Sequence, residues 1–402
     1  MSRDRAACPV IVGVGMTAFG KAPERTLADL AGEAARAALA EAGIAANEPG
    51  CVFAANSVAG MINGQEAVRA QVTLKSSGIA GMPMFNLDNA CASGSSALHL
   101  AAHYLASGGA ELALVIGYEK MVHADRALPM KALEACSDVA ELATLKARLG
   151  EAAAGRSIFM DFYAEKVRHY FEATGAAPRH LAAIAAKNHS NGALNPLAQF
   201  RKAQTVDSVL ASRMVVDPLT LLMCSPISDG AAALVLATPA WARRHGKAGP
   251  AVLSTMMATD SLSDQGSQVR DLALRAYAAA GITPADIGVA EVHDATAAGE
   301  MFAYEDIAIA APGEGWKLAE DGATCLGGRV PVNPSGGLLA RGHPIGATGV
   351  AQAVELTWQL RGTAGERQAR GARVAVAQTA GGQTAFGKTS GAAAMSIIVL
   401  GA

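Results

Sequence analysis

Met84-Phe85-Asn86-Leu87, followed by Asp88-Asn89-Ala90-Cys91-Ala92-Ser93-Gly94-Ser95-Ser96, is the stretch that decides the fold class. Four strand-like residues run into a turn around Asp88 to Cys91, and a helix is predicted from about Ser93 to Ser107. Leu112 to Ile116 is then a continuous apolar run of the kind a buried parallel strand carries. Strand, helix, strand is α/β order, and it sets Cys91 at a strand-to-helix junction. A thiol there lies near a partly positive helix end, where thiolate or oxyanion charge is favoured.

Working outward, Val10 to Val14 reads as a first strand, Leu27 to Ala42 as an alanine-rich helix and Cys51 to Val58 as a second strand. From about Tyr118 to Asp217 the pattern changes to helical stretches rich in methionine, arginine and alanine, an insertion over one face of the α/β body. Strand character returns at Ala231 to Ala237. After Pro250 the order restarts: strand Val252 to Met257, helix near Val269 to Ala280, strand Val289 to Val292 and a helix beginning near Thr296. A Gly336 to Gly349 turn leads into a helix ending at Leu360, and Arg373 to Gln378 and Ala392 to Leu400 close the chain as strands. The second half repeats the first, which indicates an internal duplication.

With 402 residues, 51% hydrophobic, 17% charged and a net charge of -2, the chain has ample core and exceeds what one hydrophobic core usually holds. Near-neutral charge leaves no electrostatic footprint for a nucleic-acid backbone, although a local basic patch for a phosphorylated small molecule stays open. The cysteines Cys8, Cys51, Cys91, Cys136, Cys224 and Cys325 form no Cys-x-x-Cys pair, which points away from a zinc ribbon or a disulfide framework and toward reduced thiols in a cytoplasm. Ile11-Val12-Gly13-Val14-Gly15 reads as a strand rather than a signal-peptide core, and no apolar run reaches the roughly 18 residues of a membrane span.

Cys91 stands out among the thiols because Ser93, Gly94, Ser95 and Ser96 are small enough to let a substrate approach. Cys8, Cys51, Cys136 and Cys325 read as small buried hydrophobes, and Cys224 as structural. His343, between Gly342 and Pro344, suits a general base with a pKa near neutrality. His293, in Glu291-Val292-His293-Asp294-Ala295-Thr296, follows a short strand and precedes a helix whose N-cap is Asp294 or Thr296. It is placed either to serve a carbonyl oxygen or simply to pack. His99 and His103 share a helix face, but no third ligand lies near them in sequence, so no metal site is expected.

Asn89-Ala90-Cys91-Ala92-Ser93-Gly94, Val292-His293-Asp294-Ala295 and the block Asn333 to Gly349, in this order, resemble the thiolase superfamily across nearly the whole chain. The branch resembled is that of sterol carrier protein-associated and archaeal-type thiolases. The resemblance implies a duplicated five-layered αβαβα body with an inserted, mainly helical loop domain. Its halves would be residues 1–250, with the loop domain at about 118–217, and residues 251–402. It implies an enzyme that cleaves a 3-oxoacyl-CoA with free coenzyme A, or runs the reverse Claisen condensation, on a bulky or aromatic acyl group. Acyl-CoA and coenzyme A are then substrates, with no covalently bound cofactor. By resemblance, Cys91 carries the acyl group, His343 activates its thiol, and His293 with Asn333 and a water stabilises an enolate oxygen. The N–H groups of Cys91 and Gly381 form a second oxyanion hole. A homodimer is implied, within a hetero-oligomer where a separate OB-fold and zinc-ribbon protein joins it. Alternatives of the same fold are a retro-aldol acyl-CoA lyase and a non-catalytic acyl-CoA-binding scaffold.

Two departures stand out. Many thiolases carry Cys-x-Gly where this chain has Thr379-Ala380-Gly381, and relatives with His-Asp-Cys-Phe carry a thiol where Ala295 stands here. The second acid/base of the Claisen step is therefore open between His343, His293 and an unrecognised residue. The loop Gly382 to Ser390 is also longer than the branch leads one to expect.

Overall fold

The computed structural model describes residues 5–149, 157–260, 267–384 and 392–402. The strands are β1 (Val10–Met16), β2 (Cys51–Ala55), β3 (Met84–Leu87), β4 (Leu112–Glu119), β5 (Met214–Val216), β6 (Leu219–Thr220), β7 (Gly230–Ala237), β8 (Ala251–Ala258), β9 (Val289–Glu291), β10 (Val374–Gln383) and β11 (Ala392–Gly401). β5 and β6 form a small hairpin inside the inserted region; the other nine are ordered β3-β2-β4-β7-β1-β8-β11-β10-β9. The two ends of that order mirror each other. β1 and β8 open their halves and meet at the centre through Val10 and Ala251, while β7 and β11 lie beside them. Beyond β9, a parallel bridge from Ala290 to Val332 occupies the place that β3 takes in the first half.

The alternation of side chains along these strands builds the layers. Ala113 and Val115 of β4, with Ile398 and Leu400 of β11, face a central core that also holds Ala97, Leu98 and Ala101 of helix Ser93–Ala106 and Val350, Ala351 and Val354 of helix Thr348–Arg361. Leu112, Leu114 and Ile116 face the opposite way, onto helix Leu27–Ala42. Ile397 and Val399 likewise face helices Gln268–Ala280 and Ala297–Asp306. Helix, sheet, helix, sheet, helix is the five-layered αβαβα order, and period-two burial on both faces of each sheet demands it. Among the described residues no helix is long and apolar enough to cross a membrane.

The two central helices meet at their first turns. A Cβ at Gly94 would lie 2.7 Å from the backbone N of Val350, and one at Gly349 would lie 2.4 Å from that of Ser95. Neither glycine can carry a side chain without parting the helices. Ser93, Ser95 and Ser96 are buried in the same contact. The small residues after Cys91, expected to make room for substrate, make room for the second central helix, and that contact brings the loops of Cys91 and His343 together.

Candidate active site

The chain enters helix Ser93–Ala106 through a tightly fastened loop. The Asp88 carboxylate accepts from Ala90 N, the Asn89 amide donates to Ser96 Oγ, and Asn89 N donates to Ser93 Oγ. Ala90 has φ +48°, a left-handed conformation that costs a non-glycine residue about 1 kcal/mol and persists only where its surroundings enforce it. Cys91 follows directly, half-buried.

Sγ of Cys91 and one ring nitrogen from each of His293 and His343 lie within 4.8 Å of one another. Three residues spread over some 250 positions thus converge on one point. The two imidazoles meet edge to face, with ring centroids 5.1 Å apart.

His343 has a defined tautomer. Its Nδ1 lies 2.7 Å from Thr348 Oγ1, and the Thr348 hydroxyl donates its own hydrogen to Pro344 O at 3.1 Å. Thr348 Oγ1 therefore accepts, Nδ1 carries the proton, and Nε2 keeps its lone pair as the base. The backbone N–H of His343 donates to Ser228 Oγ. Burial, then the neighbouring His293 and Arg341, hold its pKa well below the usual histidine value. Burial pushes the Cys91 thiol well above 9, with the nearby Cys136 adding to the effect.

Both shifts favour a neutral thiol beside a neutral imidazole at rest rather than a thiolate–imidazolium pair. Cys91 alkylation by iodoacetamide, followed by peptide mass spectrometry, is accordingly expected to keep accelerating as pH rises through 9. A rate already level between pH 6 and 8 would mean an ion pair and contradict the assignment.

His293 is buried and held to a pKa of about 4 by that burial, so it is neutral at pH 7. Its Nδ1 has no hydrogen-bond partner, and its backbone N–H donates to Gln378 Oε1 at 2.9 Å. An unpartnered nitrogen in a buried ring is a site for a ligand atom.

Asn333, expected with His293 at an enolate oxygen, is fastened in the structure through its carboxamide. Oδ1 accepts from Val292 N at 2.8 Å and Nδ2 donates to Glu300 Oε2 at 2.7 Å, so Asn333 fixes the loop that presents His293. Thr296, rather than Asp294, caps helix Ala297–Asp306 by accepting from Gly299 N. Asp294 reaches across to accept from Leu338 N and Leu339 N and from Asn188 Nδ2, tying the histidine loop to the Asn333 block and to the inserted region.

Gly381 lies directly against the nucleophile loop: a Cβ there would stand 3.0 Å from Cys91 N and 2.3 Å from Asn89 O. The two expected oxyanion-hole residues are therefore neighbours. Thr379 is buried, accepting from Ser95 Oγ and donating to Gln352 Oε1, both at 2.7 Å. Its only hydrogen is already committed, which agrees with excluding it as an acid/base. The structure describes Gly382 to Thr384 of the longer loop; the rest of it lies outside the described residues.

Sequence reasoning missed Glu119. Its carboxylate accepts from Asn56 Nδ2, Ser57 N, Val58 N and Gly346 N, anchoring the turn after His343 to the end of β4. Burial raises its pKa to about 7, but four donors and no acceptor suit the carboxylate form. By sequence Cys136 reads as a small buried hydrophobe. It is half-buried and packs in the same small apolar cluster as Cys91, its thiol pushed to about 12 by burial. His99 donates to or accepts from Thr255 Oγ1 and packs against His103.

A thiol, an imidazole with a free Nε2 and a second neutral imidazole at one point are the groups that acyl transfer through a cysteine can use. The comparisons agree. The signature described as "Thiolase, N-terminal domain" matches residues 9–240, and "Thiolase C-terminal domain-like" matches residues 253–390. Sterol carrier protein 2 of Bos taurus is 38% identical over 388 residues, covering 92% of this chain and 69% of the relative. An acetyl-CoA acetyltransferase of Methanothermobacter thermautotrophicus is 37% identical over 394 residues, covering 96% and 98%. The chain belongs to the thiolase family and is a thiolase-type acyl-CoA acyltransferase. Two solved structures share the fold: the Ltp2-ChsH2(DUF35) aldolase, with TM-score 0.76, 24% identity and coverage of 98% of each chain, and human mitochondrial 3-ketoacyl-CoA thiolase, with TM-score 0.71, 17% identity and coverage of 99% and 100%.

Proposed function

We propose that this enzyme cleaves a 3-oxoacyl-CoA with free coenzyme A through an acyl-Cys91 intermediate, on a bulky or aromatic acyl group. The observation that carries this reading is the convergence of Cys91 Sγ with nitrogens of His343 and His293 within 4.8 Å. His343 Nε2 takes the thiol proton, Sγ attacks the 3-oxo carbon, and the N–H groups of Cys91 and Gly381 receive the oxyanion. His293, neutral and with a free nitrogen, serves the oxygen of the departing thioester enolate, and Asn333 positions it. Coenzyme A then takes the acyl group from Cys91.

The acyl group enters a cavity of about 630 Å3 whose wall includes His293, Phe162, Tyr170, Phe302 and Met395. That volume and those rings favour a bulky group over acetyl. The halves fall at 1–250, with the loop domain at about 118–217, and 251–402. The free cysteines fit a cytoplasmic enzyme. The assembly is a homodimer; the Ltp2-ChsH2(DUF35) neighbour, named with two components, favours a second protein, and the partner here is a separate OB-fold and zinc-ribbon polypeptide.

Intact-protein mass spectrometry after brief exposure to acetyl-CoA and to larger acyl-CoAs tests this. An adduct on Cys91 that free coenzyme A removes, absent in Cys91→Ser, is the expected result; no adduct with any thioester overturns it. A retro-aldol lyase is the second reading, favoured by the committed hydroxyl of Thr379 and by Ala295. It would release an aldehyde or ketone without free coenzyme A and would survive Cys91→Ser.

A further inference from the structure

Cleavage of the bond between C2 and C3 leaves C2 as a carbanion that must gain a proton. Neither position at which relatives hold a second thiol supplies one, since Thr379 spends its hydrogen on Gln352 and position 295 is alanine. His293 is neutral at pH 7 and His343 is committed to the proton of Cys91, which leaves a residue on another wall of the site.

Helix Ile158–Ala173 of the inserted region lays Tyr163 over the first turn of helix Ala297–Asp306. A Cβ added at Gly299 would stand 3.4 Å from Tyr163 Cε1 and 3.1 Å from the carbonyl oxygen of His293, so the phenol ring and the His293 backbone flank one glycine. Tyr163 and His293 also line the same cavity. The ring thus packs in van der Waals contact over position 299, beside the histidine loop.

We propose that Tyr163 is the general acid that protonates C2 of the leaving thioester, an inference that rests on the thiolase reading above. Burial, then the charges of Cys91, Asp294 and Asp306, push the phenol above its ordinary pKa, so it is protonated at neutral pH. A thioester α-carbanion is a far stronger base than a phenolate, so the transfer runs downhill even from a weakened acid.

The protons and electrons balance. Cys91 gives its proton to His343 Nε2, Sγ bonds to C3, and the electron pair of the broken C2–C3 bond stays on C2. The O–H bond of Tyr163 breaks and its proton goes to C2, releasing the short thioester and leaving a phenolate. Solvent returns a proton to the phenolate and takes the thiol proton of coenzyme A, whose sulfur bonds to the acyl carbon, and the departing Cys91 sulfur recovers the proton from His343, so the exchange half-reaction makes no demand on Tyr163.

Tyr163→Phe tests this in two assays on the full chain. One is single-turnover cleavage of acetoacetyl-CoA and of 3-oxo-3-phenylpropionyl-CoA; the other is exchange of labelled coenzyme A into acetyl-CoA through Cys91, which makes no carbanion. The expected result is a loss of about 100-fold or more in cleavage, the usual worth of a general acid, with exchange within about threefold of wild type. Unchanged cleavage, or equal losses in both assays, overturns the role of Tyr163 and leaves the thiolase reading standing. Failure of the wild-type enzyme to acylate Cys91 at all overturns both.

Discussion

Gly381→Ala is expected to slow acylation of Cys91 by about three orders of magnitude while the protein stays folded. The added methyl would stand 2.3 Å from Asn89 O, 2.6 Å from Ala92 N and 3.0 Å from Cys91 N, all backbone atoms with no rotamer to yield. Either the nucleophile loop or the end of β10 must give way. Displacing a reacting group by about 1 Å costs roughly 100-fold, and losing an oxyanion donor costs about 100- to 1,000-fold. The price in stability is smaller, because overpacking at one position costs about 1–3 kcal/mol. Rapid-quench mass spectrometry of acyl-Cys91 formation, with circular dichroism on the same sample, checks it. Acylation within tenfold of wild type would show that the loop accommodates a side chain and would refute the steric argument.

The side chains proposed as catalytic were legible because each lies in a short local pattern. Cys91 precedes a run of small residues, His343 sits between glycine and proline, and His293 ends a strand. What held them in place was not legible. Asp294 reads as a cap for the helix that follows it, and only the folded chain shows that Leu338 and Leu339, more than forty residues on, claim its oxygens. Asn333 reads as a donor to substrate, and only the folded chain shows that its amide also bonds Val292 N and Glu300.

Composition marks residues from about 118 to 217 as an insertion, yet the contribution of that region to the site depends on packing. Lys187 pairs with Glu300 at 2.6 Å, and Asn188 donates to both Glu300 and Asp294, contacts separated by more than a hundred residues. Tyr163 had no motif at all. Only the glycine at 299, a packing feature, leads to it. Local periodicity therefore told which elements form, while tertiary contacts decided which polar side chains act on substrate and which hold others.

Glu291→Ala is expected to destabilise the enzyme by about 3–5 kcal/mol, the usual cost of stranding a buried charge. Glu291 and Arg341 are both fully buried and pair at 3.1 Å. Ser335 donates to Glu291 through its backbone N and its hydroxyl, and Arg341 Nη1 donates to Ser335 Oγ as well. Arg341 Nε and Nη2 have no hydrogen-bond partner, and the guanidinium lies over the Phe19 ring at 5.7 Å. Burial pushes the Glu291 carboxyl up, against the pull of Arg341. Removing one member leaves a cation with neither water nor counter-charge, two residues before His343. The double variant Glu291→Leu/Arg341→Met, which removes both charges, should lose less stability than Glu291→Ala alone. Denaturant midpoints of the three proteins decide it: a double variant less stable than the single would mean that the pair itself, rather than the stranded charge, carries the energy.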